Sequence, residues 1–105
     1  VTRFPADLRA DGRPLKVPHV GWNEIEHDGR HPLLVGVAPG SHAYFVHSYY
    51  CVPNAQSDVL ARADYGGPFA AVVGRGRVLG IQFHPEKSQR VGLQILRNFV
   101  AMEAA

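Results

Sequence analysis

Val78-Leu79-Gly80-Ile81-Gln82-Phe83-His84-Pro85-Glu86-Lys87-Ser88 runs from apolar residues into a histidine, a proline and a carboxylate, then into a helix. A strand, a charged turn and a helix follow one another there in direct succession. In an extended segment, residues i and i+2 project to the same side, so His84 and Glu86 are expected to face each other. Pro85 keeps His84 out of the helical region. Glu86 then accepts a hydrogen bond from one ring nitrogen, which fixes the tautomer and leaves the other nitrogen as a base. A hydrogen bond at an exposed strand end gives the same pattern. The catalytic reading needs a cysteine or serine nucleophile besides.

Outward from this stretch, Val78–Phe83 pairs with Phe69–Val73 as a hairpin around Gly74-Arg75-Gly76-Arg77. Val59–Tyr65 is a further strand, ended by Gly66-Gly67. Downstream, Ser88 stands in the cap position of a helix to about Met102, with Val91, Leu93, Ile95, Leu96, Phe99, Val100 and Met102 on one broad face. Ala43–Val52 is the strongest strand; both faces are largely apolar, which predicts a central strand buried on two sides. Val1–Phe4 reads as a short strand, Pro5–Pro18 as a loop, and His19–Asn23 as a short mixed stretch holding the sole tryptophan. Asp28-Gly29 signals a hairpin turn, Leu33–Val37 is a short apolar run, and Pro39-Gly40 is a turn. The pattern is β-rich with one terminal helix, without repeats or linkers.

The chain has 105 residues, 46% hydrophobic and 19% charged, which suits one small globular domain. A net charge of +2 with scattered basic residues argues against a nucleic-acid partner. The single cysteine excludes an internal disulfide and makes a reducing, cytoplasmic setting the expectation. No apolar run approaches the ~20 residues of a membrane span, and no signal-peptide pattern is present. The opening on Val1 reads as a fragment or a trimmed chain.

The nucleophile is harder to find. Cys51 lies between Tyr49 and Pro53 with no helix start behind it, unlike an elbow nucleophile. It reads as a small buried hydrophobe on a strand, with a reactive thiol as the alternative. Ser41, Ser48, Ser57 and Ser88 also lack an elbow context. The six histidines include no H-x-x-x-H pair and no Cys/His cluster, so neither metal nor cofactor is expected. The glycines around Gly74-Arg75-Gly76 lie between strands and read as a turn rather than a phosphate loop.

Gln82-Phe83-His84-Pro85-Glu86 resembles the second half of the Cys-His-Glu triad of class I glutamine amidotransferases. Further segments narrow the resemblance: Val17-Pro18-His19-Val20-Gly21-Trp22-Asn23, Tyr44-Phe45-Val46-His47-Ser48-Tyr49-Tyr50, Asp64-Tyr65-Gly66, Glu86-Lys87-Ser88, Gly92-Leu93 and Asn98-Phe99. In this order they are similar to the glutaminase subunits of imidazole glycerol phosphate synthases. The similarity runs from about Val1 to Met102.

The resemblance implies an α/β fold: the C-terminal half of a flavodoxin-like class I amidotransferase domain across residues 1–105, β-rich with a C-terminal helix. It implies glutamine as substrate and a (β/α)8-barrel cyclase subunit as heterodimer partner that receives the ammonia. It gives His84 and Glu86 as the catalytic pair. His47, Ser48 and Tyr49 would border bound glutamine. Trp22, Asn23, Tyr44 and Lys87 would lie near the partner, with Trp22 and Tyr44 as core residues in the alternative. The family's nucleophile elbow and oxyanion loop precede the region matching Val1, so the resemblance implies a chain inactive alone. A stand-alone partner-binding module is the competing expectation.

Overall fold

The computed structural model describes residues 1–104. All its strand pairs are antiparallel. Strands β1 (Thr2–Arg3), β2 (Arg9–Ala10) and β3 (Arg13–Pro14) are short; β2 and β3 close a tight hairpin over Asp11-Gly12. Both turn residues have positive φ, 51° and 77°, which suits aspartate and glycine.

β4 (His19–Ile25) pairs along its whole length with β5 (Ser41–His47), from His19↔His47 to Ile25↔Ser41. Asp28-Gly29 is therefore not the tip of a two-residue hairpin. The connection from Glu26 to Gly40 also holds the 3-10 turn Pro32–Leu34, which buries Leu33 and Leu34. Beyond β4, Glu26 bridges to Arg62 through two backbone hydrogen bonds and so links this ribbon to the following meander.

The strand expected over Ala43–Val52 is broken. β5 ends at His47, Ser48 bends, and β6 (Tyr49–Tyr50) leaves to pair with β1. The Ser48 carbonyl accepts the Phe4 N–H, which draws the chain toward β1. Nor is β5 buried on two sides. Ala43, Phe45 and His47 face the core, while His42 and Val46 are exposed and Tyr44 is half-buried. A two-stranded ribbon packed on one side leaves its other face to solvent.

The meander β7 (Val59–Asp64), β8 (Pro68–Arg75) and β9 (Val78–Ile81) matches the expected strands, with Gly76-Arg77 as the two-residue loop of its second hairpin. Helix α1 (Gln89–Ala104) closes the chain. The core gathers Ile25, Leu33, Leu34, Phe45, Val72, Phe83 and Ile95. The apolar residues of α1 do not share one face. Val91, Ile95 and Met102 pack inward, whereas Leu93, Leu96, Phe99 and Val100 stay exposed.

Candidate active site

His84 follows the bend Gln82-Phe83 after β9 in an extended conformation, φ −93° and ψ 102°, as the following proline requires. Its N–H donates to the Tyr44 carbonyl, which fixes the segment against β5. Pro85–Lys87 then form one 3-10 turn. Glu86 thus meets His84 around this turn, not along a strand as the alternation of side chains suggested. Nδ1 of His84 lies 3.2 Å from Oε1 of Glu86. A carboxylate oxygen only accepts, so Nδ1 donates, and in the neutral ring Nε2 keeps its lone pair. The two side chains are 43% and 59% exposed, so the pair adds little to stability. What it supplies is an accessible, oriented imidazole base.

Two residues seat the turn. The Ser88 side chain is not the helix cap its position suggested. Its hydroxyl is buried, donates to the His84 carbonyl at 2.7 Å and accepts the Tyr44 N–H at 3.0 Å. Gln89 enters the helix with φ 52°, and this entry differs from the extended backbone of an ordinary cap. Gly92, in the first turns of α1, lies directly beneath the Pro85 carbonyl, where a Cβ would collide with backbone. The helix can carry the turn this closely because Gly92 has no side chain.

His47, Ser48 and Tyr49 lie at the bend between β5 and β6. Tyr44, which holds the His84 backbone, is three residues back on β5. The His47 ring is buried under Phe4, Phe45 and Phe69. Its Nδ1 donates to the Tyr49 carbonyl at 2.9 Å across the bend. Its Nε2 lies 2.9 Å from Nδ1 of His19, its cross-strand partner. His19, also buried, stacks between Phe45 and Tyr65. Burial first, and then the neighbouring His47, push His19 from 6.5 down to about 4. Burial also lowers His47, against an opposing contribution from its bond to Tyr49. Both rings are therefore neutral near pH 7. His19 was no candidate from sequence; only the β4–β5 register brings it to His47.

Trp22, Tyr44 and Lys87 converge although they come from three separate segments. Trp22 and Tyr44 are cross-strand partners with rings edge to face at 5.8 Å. Nζ of Lys87 stands 5.9 Å above the Tyr44 ring. With exposed Val20 and Val46 beside them, they form an open apolar and aromatic strip flanked by a cation next to the His84 turn. Asn23 does not join the strip. Its amide turns to the other side of β4 and donates to His19 and to the Asp64 carbonyl.

Cys51 is exposed and lies one residue beyond β6, not buried in a strand as expected. Among the described residues no hydrogen bond joins it to a histidine, and no three His, Cys, Asp or Glu side chains converge as a metal site would require. No helix among them is long and apolar enough to cross a membrane. A groove of about 520 Å³ between α1 and β9 includes none of these site residues.

The model of the family "Glutamine amidotransferase class-I" matches residues 10–102. A Syntrophotalea carbinolica protein described as imidazole glycerol phosphate synthase subunit HisH is 54% identical over 99 residues, 94% of this chain and 48% of its own length. A HisH subunit from Methylococcus capsulatus is 53% identical over 105 residues, 98% of this chain and 48% of its own. One from Azospirillum brasilense is 57% identical over 86 residues, 82% of this chain and 45% of its own. The chain spans about half the length of the curated relatives it matches.

Proposed function

The chain belongs to the class-I glutamine amidotransferase family, and on that premise we propose that it is the C-terminal half of a glutaminase subunit of imidazole glycerol phosphate synthase. The observation that carries this reading is the oriented pair itself: an exposed imidazole whose Nδ1 donates to Glu86 and whose Nε2 is free. Relatives about 50% identical over nearly the whole chain bear the HisH name, which supports the choice among amidotransferases.

In this reading a cysteine on the other half of the domain attacks the side-chain amide of glutamine. His84 takes the thiol proton through Nε2 and returns a proton to the departing ammonia. Glu86 holds the ring and stabilises the imidazolium that forms. The carbon–nitrogen bond breaks, a glutamyl thioester remains, and water releases glutamate and regenerates the thiol. The bend His47-Ser48-Tyr49 borders the glutamine. The strip of Trp22, Tyr44 and Lys87 faces a (β/α)8-barrel cyclase subunit, which takes up the ammonia. The chain alone supplies base and orienter but no nucleophile, and the cytoplasm is its setting. The exposed apolar side of α1 agrees with a domain half that packs against further chain.

The test is His84→Ala in the chain combined with a cysteine-bearing half. Glutamine hydrolysis should fall at least about a thousandfold while cyclase binding persists. Retained hydrolysis would remove His84 from the mechanism.

A further inference from the structure

We propose that His19 is a positioning residue: through His47 it fixes the bend His47-Ser48-Tyr49, which on the reading above borders bound glutamine. The argument begins with two backbone carbonyls, which only accept. The Tyr49 carbonyl requires a proton on Nδ1 of His47. The neutral His47 ring then has a lone pair on Nε2, and this must be met by Nδ1–H of His19. That leaves a lone pair on Nε2 of His19, met by the Asn23 amide at 3.2 Å. The Asn23 amide nitrogen gives its second hydrogen to the Asp64 carbonyl at 2.9 Å, which fixes the orientation of the amide. Donation runs outward from the Asn23 amide, to the Asp64 carbonyl on one side and through His19 and His47 to the Tyr49 carbonyl on the other; this one assignment satisfies every member and requires both rings neutral.

The network therefore ties the bend of β5–β6 to β4 and to the end of β7. An extra proton on either ring puts two donors face to face, at His19–His47 or at His19–Asn23. The rings are enclosed by Phe4, Phe45, Phe69 and Tyr65, and the Tyr65 hydroxyl is occupied by the Lys16 carbonyl. Among the described residues no carboxylate, lysine or arginine side chain hydrogen-bonds to either ring, and Asp64 takes part only through its backbone. The arrangement leaves the base itself untouched: His84 and Glu86 share no hydrogen bond with this network.

Two readouts test the proposal. Nitrogen-15 NMR of the imidazoles in this chain at pH 7 should find His19 and His47 both as the Nδ1–H tautomer. His19→Phe keeps an aromatic ring between Phe45 and Tyr65 and removes the donor, so His47 should become a tautomer mixture. His19→Asn places an amide near the former Nδ1 and should restore the Nδ1–H form of His47. In the chain combined with its cysteine-bearing half, His19→Phe should raise KM for glutamine roughly tenfold at unchanged kcat, with recovery in His19→Asn. Nε2–H on His47 in the native chain, or an unchanged His47 tautomer in His19→Phe, would overturn the proposal. So would an unchanged KM in an active enzyme. If the native combination does not hydrolyse glutamine at all, the glutaminase reading fails and the tautomer measurements still decide the role of His19.

Discussion

The Pro85 carbonyl rests on Gly92, so closely that any β-carbon at position 92 would overlap it. This contact couples the first turns of α1 to the turn that carries His84 and Glu86. Gly92→Ala must displace backbone on one side, because no flexible side chain is there to move. Its helical setting would otherwise favour alanine by about 1 kcal/mol. The expected result is the reverse: a loss of roughly 1–3 kcal/mol in denaturant unfolding. An equal or more stable variant would show that the seat is not rigid.

Ser88 joins the same turn to β5. Ser88→Ala removes the donor to the His84 carbonyl and the acceptor of the Tyr44 N–H. A loss of about 1–3 kcal/mol is expected, because polar groups lose their partners in a buried place. Hydrogen exchange at the Tyr44 amide should speed up in the variant. Unchanged protection there would mean that another group satisfies Tyr44.

The two buried histidines set a pH dependence. A base whose folded pKa is depressed leaves the unfolded state binding more protons, so stability rises with pH between the two values. The contribution of His19 is complete above 6.5 and is lost as pH falls toward about 4; His47 acts in the same direction. The loss from His19 alone is on the order of 3 kcal/mol over that window. Urea unfolding from pH 7 to pH 4 reads this directly. His19→Phe should flatten the curve, and a slope identical to that of the native chain would contradict the assignment.

The strip of Trp22, Tyr44 and Lys87 gives a prediction about partners. Trp22→Ala should weaken cyclase binding by at least about 1 kcal/mol, since a half-exposed tryptophan braced by a tyrosine suits an interface anchor. Lys87→Ala should weaken it too, while Arg13→Ala, on the β2–β3 hairpin, should not. Equal affinities in calorimetry for all three would place the interface elsewhere.

Local sequence carried what local forces determine. The hairpin of β8 and β9 was legible from its apolar runs and glycines, and the His84–Glu86 pair from two residues flanking a proline. Yet their contact runs around a 3-10 turn, because Ser88 and Gly92, remote from any strand pattern, pull the segment into α1. The break of β5 at Ser48 depends on a hydrogen bond to Phe4, far away in the chain. The His19–His47 pair and the meeting of Trp22 with Tyr44 depend on the register of β4 and β5, which a connection from Glu26 to Gly40 conceals. The resemblance places Asn23 with Trp22 near the partner; alternation along β4 puts the two side chains on opposite sides of the strand. Leu93, Leu96, Phe99 and Val100 of α1 share the apolar pattern of Val91 and Ile95, and composition does not tell which of them meets a packing partner.

The most direct measurement is glutamine hydrolysis by this chain alone and by the chain mixed with a separately produced cysteine-bearing half, each with and without the cyclase subunit. The account predicts activity only in the mixtures that contain both halves. Hydrolysis by the chain alone would assign the nucleophile to Cys51 or another group present here. No hydrolysis by a correctly folded mixture with the cyclase subunit would contradict His84 and Glu86 as a working base and orienter.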